Sequence, residues 1–276
     1  MNHSRRLFIK KSVFGTAGIS VGSIGALGPA ALFNSCSGPG SRGKRVTLPE
    51  LPDRAPDGQA VRAGLIGCGG RGTGAAFNFL DAGPNLQIAA LGDVFQDKID
   101  HCRAELKEKK NVEIPDENCF VGFDSYEKVI DSGVDLVLLC TPPHFRPVHL
   151  EAAVNAGKHV FMEKPCAVDP VGVRSVLVSA KKAESMGLSI VSGTIRRVQK
   201  DYMETQRRVA MGEIGEITGA NIIRNGGALW VRKWLPGWSD MEYMLRNWDN
   251  FCWLSGDHIT EQFIHEIDVM KYNLDF

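Results

Sequence analysis

Short apolar runs without polar alternation recur along the middle of the chain. Five of them stand out, at Val61–Ile66, Leu86–Leu91, Asp135–Cys140, His159–Met162 and Leu188–Val191. The segments between them space their apolar residues as helices do, at Thr73–Leu80, Gln96–Lys109, Tyr126–Ser132, Pro147–Ala156 and Pro170–Met186. Strands that alternate with helices of this length predict a parallel sheet covered by helices on both faces, and strands buried on both sides need no polar alternation.

The pattern changes after Ser192. Thr218–Arg224 mixes polar and apolar residues and predicts a strand of an open, mostly antiparallel sheet. Ala228–Leu254 contains all five tryptophans, which could stack on sugar rings or pack in a core or an interface. His258–Asn273 has helical spacing. The sequence therefore predicts an α/β protein with two domains, at 60–192 and 193–276.

The first 59 residues differ in composition from the rest. Ser4–Lys10 reads Ser-Arg-Arg-Leu-Phe-Ile-Lys, which resembles the twin-arginine export motif, and a glycine-rich apolar stretch follows. Those glycines argue against a membrane-spanning helix. We expect a signal segment at 1–35, a flexible linker at 36–59 and export to the periplasm by the Tat translocase. Leu32–Ser35 forms a loose lipobox, which would allow a lipid anchor at Cys36.

Charge and cysteine spacing narrow the classes of function. Lysine plus arginine and aspartate plus glutamate both number 32, so the formal net charge is zero. No basic face stands out, which argues against a nucleic acid partner. The seven cysteines are spread singly, without the Cys-x-x-Cys spacing of a zinc knuckle or a redox dithiol. Buried free thiols are the simpler interpretation.

A glycine-rich loop separates the first predicted strand from the first predicted helix. Its residues are Gly67-Cys68-Gly69-Gly70-Arg71-Gly72. Glycines allow a tight turn and close approach of a pyrophosphate, whose charge the helix N-terminus would hold. Asp93 ends the second predicted strand, where its carboxylate would bind the ribose hydroxyls and repel a 2′-phosphate. NAD is therefore favoured over NADP, and the alternative is a glycine-rich turn in an ordinary α/β protein.

Two further short sequences follow predicted strands. The first is Cys140-Thr141-Pro142-Pro143-His144. The carboxyl ends of parallel strands line the ligand crevice of such sheets. Thr141 and Pro142 would form the floor beside the dinucleotide. His144 could be catalytic, or it could make only a packing or solvent contact.

The second of these sequences is Glu163-Lys164-Pro165. It also ends a strand, so Lys164 should project into the same crevice. There the amine could exchange a proton with a substrate hydroxyl during hydride transfer. The alternative is a surface lysine in a turn.

A polar helix near the end of the chain supplies the last candidates. Glu261, His265 and Asp268 recur at i, i+4 and i+7, which predicts one shared helix face. A histidine held by a carboxylate can act as an acid, a base or a hydrogen-bond donor to a sugar. The face could instead be a polar stripe, or bind a metal through His258, Glu261 and His265. Because the spacing is not His-Glu-x-x-His, we predict no metal.

Together these motifs resemble the Gfo/Idh/MocA oxidoreductases, in particular exported members. The most specific stretch is Ala156–Pro165, which reads Ala-Gly-Lys-His-Val-Phe-Met-Glu-Lys-Pro. The resemblance implies a Rossmann dinucleotide-binding domain followed by an α/β domain whose open, mostly antiparallel sheet often mediates homo-oligomers. It also implies that Lys164 is catalytic, and that an Asp-x-x-x-His pair maps to Glu261 and His265. The chain differs from many members in having glutamate at the first of these two positions.

The resemblance and the motifs define the expected site. Arg196 and Arg197, in a Thr-x-Arg-Arg stretch of exported relatives, and Asp268 are the candidates for substrate binding. The candidates for cofactor binding are Gly67, Gly69, Gly70, Arg71, Gly72, Asp93, Thr141, Pro142, His144, Glu163 and Lys164.

The expected activity is hydride transfer between a sugar, polyol or glycoside and a tightly held NAD. One alternative is an NAD-dependent glycosidase that works by oxidation and elimination. Another is a non-catalytic sugar-binding remnant. Relatives normally continue beyond the polar helix, so the resemblance leads us to expect an incomplete second domain.

Overall fold

A computed structural model describes residues 58–274 of the chain. The expected signal segment, Cys36 and the linker as far as residue 57 lie outside the described residues. None of the helices between residues 58 and 274 has the length and apolarity needed to cross a membrane.

The described residues form a parallel sheet with helices packed on both faces. The strands are β1 (Val61–Ile66), β2 (Leu86–Asp93), β3 (Cys119–Val121), β4 (Leu136–Leu139), β5 (His159–Met162) and β6 (Ile190–Ser192). The helices that connect them are α1 (Gly70–Asp81), α2 (Gln96–Lys110), α3 (Ser125–Asp131), α4 (Arg146–Asn155) and α5 (Pro170–Ser185). The predicted alternation is confirmed, while the short strand β3 was missed because three residues are too few to show a period.

Strand order places the site. The six strands run in the order β3-β2-β1-β4-β5-β6, and every pair is parallel. The chain leaves β1 towards one edge of the sheet and returns at β4 towards the other, so a crevice opens between the carboxyl ends of β1 and β4. Apolar residues are buried on both faces of the sheet, in two clusters around Leu139 and Leu91.

The remaining residues add helices. These are α6 (Lys200–Ala210), α7 (Asp240–Arg246), α8 (Cys252–Ser255) and α9 (Ile264–Leu274), the last preceded by a π-helical turn at Ile259–Phe263. The sequence pattern indicated the last helix and missed α6, α7 and α8.

The prediction of an antiparallel sheet is wrong for the described residues. Thr218–Arg224 forms no strand, and most of its residues are exposed. An extended segment becomes a strand only when a neighbour pairs with its backbone groups, and none of the described strands lies beside it. The sheet ends at Ser192, and the division into domains at that point stays a prediction.

Candidate cofactor and active site

The glycine loop is shaped by contacts that leave no room for side chains at two positions. Gly67 has φ +96°, and a Cβ there would lie 2.7 Å from the backbone carbon of Cys140. A Cβ on Gly72 would lie 1.8 Å from the carbonyl oxygen of Gly67. The loop therefore folds tightly against the residue that follows β4, and α1 packs directly on the loop.

Two other glycines of the loop face open space. A Cβ on Gly69 or Gly70 would meet no atom within 4 Å. These residues begin α1, and its first turn carries no acidic side chain. Backbone N–H groups at a helix N-terminus with free space above them suit a phosphate group. The loop therefore fits the pyrophosphate of a dinucleotide.

Asp93 ties the glycine loop to the end of β2. Its Oδ2 accepts a hydrogen bond from the N–H of Cys68 at 2.7 Å, and its Oδ1 accepts one from Phe95 at 3.0 Å. Burial raises the pKa of this carboxyl group, although both hydrogen bonds act in the opposite direction. Each carboxylate oxygen can accept more than one hydrogen bond, so these contacts leave capacity for ribose hydroxyls.

A cavity of about 480 Å³ lies above the loop and the strand ends. Its volume is in the range of small-molecule and cofactor sites. The expected cofactor residues in its lining are Gly67, Gly69, Gly70, Arg71, Gly72, Asp93, Thr141 and Pro142. The other three, His144, Glu163 and Lys164, are not part of the lining. The structure thus brings together most of the residues that the motifs indicated.

Arg71 connects the loop to the Glu-Lys-Pro sequence. Its Nε donates a hydrogen bond to Oε1 of Glu163 at 2.6 Å. The Glu163 residue is buried, and a Cβ on Gly193 would lie 2.7 Å from its other carboxylate oxygen. Glu163 therefore positions the loop arginine, and Arg71 in turn lines the cofactor cavity.

Lys164 and Glu261 form a buried ion pair. The Nζ of Lys164 lies 2.6 Å from Oε1 of Glu261, and it also donates to the backbone carbonyl of Glu261. The two side chains are 16 % and 8 % exposed. Burial raises the pKa of Glu261, while Lys164 opposes the shift. The glutamate, where many relatives have aspartate, is therefore long enough to reach the lysine.

A buried arginine lies beside this pair. Arg146 is 3 % exposed, and its Nη1 donates to the carbonyl oxygen of Pro165 at 2.5 Å. Its positive charge is one of the influences that oppose the raised pKa of Glu261. The guanidinium of Arg146, which no motif indicated, thus holds the Glu-Lys-Pro turn in place through Pro165.

His265 is favoured in its neutral form. Burial lowers its pKa first, and the positive charges of Lys164, Arg196 and Arg224 lower it further. A neutral imidazole has one donor and one acceptor nitrogen, so it can bind a substrate hydroxyl in either direction.

The expected substrate residues pair mainly with other side chains of the protein. Arg197 makes a bidentate contact with Asp268, whose shortest N–O distance is 2.7 Å. Arg196 lies 3.3 Å from Glu266, which Arg224 also contacts at 3.0 Å. The sequence pattern did not indicate Glu266 or Arg224. A role in substrate binding for Arg196, Arg197 and Asp268 stays a prediction.

The predicted shared face of the polar helix is altered by its π-helical turn. Glu261 lies within Ile259–Phe263, which holds more residues per turn than an α-helix. Its carboxylate contacts Lys164, whereas that of Asp268 contacts Arg197. Within residues 58–274, no three histidine, cysteine, aspartate or glutamate side chains converge as metal ligands would.

His144 makes aromatic contacts at the rim of the crevice. Its ring lies edge-on to Phe145 and to Trp253, with both centroid distances 5.1 Å. Its backbone N–H donates to Leu254. The packing interpretation describes these contacts, and a catalytic role for His144 stays a prediction.

Several residues of the cavity lining were not indicated by any motif. They include His149, Trp230, Arg232, Arg246 and Trp248. All but His149 come from the tryptophan-rich segment, far along the chain from the glycine loop. The concentration of tryptophans was the only signal in the sequence, and it did not distinguish a cofactor site from a core or an interface.

Comparison with known proteins supports the assignment of an NAD-binding Rossmann fold. A family model described as "Oxidoreductase family, NAD-binding Rossmann fold" matches residues 61–190. A solved structure of scyllo-inositol dehydrogenase from Lactobacillus casei, with bound NAD(H) and scyllo-inositol, is 22 % identical. The match has a TM-score of 0.56 and covers 78 % of this chain and 56 % of that one, which shows a shared fold.

Curated relatives include inositol dehydrogenases. The scyllo-inositol 2-dehydrogenase (NAD⁺) of Bacillus subtilis is 27 % identical over 56 % of this chain and 42 % of its own length. The myo-inositol 2-dehydrogenase of Thermotoga maritima is 27 % identical over 77 % of this chain and 54 % of its own. The chain therefore spans about half the length of these relatives. Residues 61–190 are therefore identified as an NAD-binding Rossmann domain of the Gfo/Idh/MocA oxidoreductase family.

Proposed function

We propose that the protein is an NAD-dependent oxidoreductase that acts on a hydroxyl group of a polyol or sugar. The observation that carries this proposal is the ion pair of Lys164 with Glu261, at 2.6 Å, next to the crevice of an NAD-binding domain. The relatives named as inositol dehydrogenases support a polyol as the substrate class.

The residues present fit the cofactor. Gly69 and Gly70 leave open space above a helix N-terminus, where the pyrophosphate would bind. The carboxylate of Asp93 would accept hydrogen bonds from the ribose hydroxyls. NAD bound in this cavity supplies the hydride acceptor. A carboxylate at the ribose position disfavours a 2′-phosphate, which supports NAD over NADP.

The side chains can move the proton that accompanies oxidation of a hydroxyl. Nζ of Lys164 would accept the hydroxyl proton as it passes one of its own protons to Oε1 of Glu261, which is already in hydrogen-bonding contact. The raised pKa of Glu261 makes its carboxylate a better acceptor. His265, kept neutral, would hold the hydroxyl in place.

The test replaces Lys164 by methionine. We expect NADH formation with scyllo-inositol, myo-inositol or a neutral sugar to fall by about 100-fold or more, because proton transfer by a positioned group contributes this much. NADH binding, followed by fluorescence titration, should change little. The matched control is Lys181→Met, which removes an exposed lysine of α5.

A Lys164→Met variant with a near-normal rate would show that Lys164 does not carry the proton. A chain that cleaves a glycoside without net NADH formation would instead support the oxidation–elimination glycosidase.

We further propose that the chain is exported through the Tat translocase and forms a homo-oligomer. Export is supported by the twin-arginine sequence at Ser4–Lys10, with Cys36 as the candidate lipid attachment site. Oligomer formation is supported by the family resemblance, and size-exclusion chromatography with light scattering checks it.

A further inference from the structure

The cofactor cavity is lined in part by residues that follow the six-stranded sheet in the chain. We call residues 230–248 the covering segment. Its members in the cavity lining are Trp230, Arg232, Leu245, Arg246 and Trp248. They line the same cavity as the glycine loop and Asp93, so a dinucleotide that fills the cavity would contact both parts of the chain.

Two asparagines hold the extended part of the covering segment in place. The side chain of Asn247, in a residue only 1 % exposed, accepts from the N–H of Arg232 at 2.6 Å and donates to its carbonyl at 3.3 Å. Asn250 donates to the carbonyl of Trp230 at 2.9 Å. Although these residues form no strand, their backbone is fixed to the residues that follow α7.

Arg246 anchors the covering segment to the first turn of α2. Its guanidinium makes a bidentate contact with Asp97, at 2.8 and 3.0 Å, and its Nε donates to Glu242 at 2.8 Å. The guanidinium carbon also lies 3.9 Å from the ring centroid of Phe95, which lines the cavity. The arginine side chain is 11 % exposed. A bidentate contact combined with a stacked ring needs arginine, not merely a positive charge.

The cavity is electrostatically suited to an anionic ligand. Lys98 and Arg232 both line it, and neither has a carboxylate at ion-pair distance within the described part of the chain. Burial lowers the pKa of Lys98 first, and the positive charge of Arg232 lowers it further. A dinucleotide brings two phosphate charges, and Arg232 would supply a cation from the covering segment.

We propose that the covering segment, anchored by the Arg246–Asp97 ion pair, retains NAD in its cavity, so that the cofactor is not exchanged in each turnover. The proposal rests on the proposed function, since it concerns the same cofactor site. It goes beyond that function because it assigns cofactor retention to residues outside the Rossmann sheet. Arg246 acts as a positioning residue for the covering segment.

The test measures the rate of NADH release from the full chain. Protein loaded with NADH is mixed with excess NAD⁺, and the loss of bound-NADH fluorescence is followed. We expect release to be about tenfold faster or more in Arg246→Met and about threefold faster in Asp97→Asn, because the first change removes the ring contact as well as the ion pair. The double variant should release NADH no faster than Arg246→Met, since both changes break the same contact.

The matched control is Arg103→Met. Arg103 also lies on α2 and pairs with an aspartate, Asp116, at 2.7 Å, but neither residue lines the cavity. Its release rate should equal that of the wild-type chain. If Arg246→Met does not fold, Asp97→Asn decides the question, because Asp97 is 57 % exposed and its loss leaves no buried gap.

Wild-type release rates in both variants would overturn the proposal, as would wild-type exchange of NADH faster than turnover. In either case the proposed function would stand, because NADH would still bind. A wild-type chain that binds no NADH would overturn the proposed function and the retention proposal together.

Discussion

At the scale of single residues, two glycines of the loop have different roles, one in packing and one in ligand contact. Gly72 is required by the fold, because its Cβ would overlap the carbonyl oxygen of Gly67. Gly69 has an ordinary backbone conformation, φ −68° and ψ 179°, and nothing occupies the space beside it. At Gly69, the close approach of a ligand to the backbone is therefore the reason for glycine.

This contrast predicts opposite effects of two alanine substitutions. Gly72→Ala should lower the free energy of unfolding by about 1–3 kcal/mol, because an added methyl group forces the backbone apart. Gly69→Ala should leave stability unchanged or slightly raised, while weakening NADH binding by about tenfold or more, since the methyl group fills the phosphate space. Urea denaturation and NADH titration of both variants check this. Normal NADH binding by Gly69→Ala would contradict the assignment of the loop.

At the scale of elements, α4 brings a buried histidine to the cavity. The ring of His149 stacks on Tyr126 with a centroid distance of 4.3 Å, and its Nδ1 lies 3.3 Å from the hydroxyl of Thr141. Burial, with a contribution from the charge of Arg146, lowers the pKa of His149 to about 4. The helix therefore presents a neutral imidazole beside the expected cofactor floor.

The low pKa of His149 predicts a dependence of stability on pH. Because the folded-state pKa of about 4 lies below the ordinary value of 6.5, the unfolded chain binds more protons between these values. This group's contribution is present above pH 6.5 and is lost as the pH falls towards 4, by about 3 kcal/mol. His149→Gln should remove that part of the slope, which urea denaturation from pH 4 to 7 measures for both proteins. Identical slopes would contradict a buried neutral histidine.

At the scale of the whole molecule, the proposed export and the proposed cofactor retention support each other. The twin-arginine segment predicts export by the Tat pathway, which moves folded proteins. A protein that folds around NAD before export would carry the cofactor to a compartment where free NAD is scarce. A covering segment that slows release would make this arrangement workable.

This view predicts where the protein and its cofactor are found. We expect the wild-type chain in the periplasmic fraction with NAD bound, and an Arg5→Lys, Arg6→Lys variant in the cytoplasm, because the Tat translocase reads the arginine pair. Cell fractionation with extraction of bound nucleotide checks both points. Equal amounts of the variant and the wild-type chain in the periplasm would contradict Tat-dependent export.

Much of the sheet could be predicted from local patterns. Strands such as Val61–Ile66 and His159–Met162 are recognised because burial on both faces requires continuous apolar residues. The first five helices follow from apolar spacing and agree to within a few residues at their ends. The strand expected at Thr218–Arg224 does not form. Whether such a segment becomes a strand depends on a pairing partner, which its own residues do not reveal.

The sequence by itself determined the parallel sheet, the glycine loop with Asp93, and the Glu-Lys-Pro sequence after β5, since each depends on neighbouring residues and on backbone geometry. The tertiary structure alone decided that Glu261 contacts Lys164 from 97 positions away, and that Arg246 reaches Asp97 across 149. It also decided that the tryptophan-rich segment covers the cofactor cavity. Such contacts depend on how distant elements pack, and packing leaves no periodic signal in the order of residues.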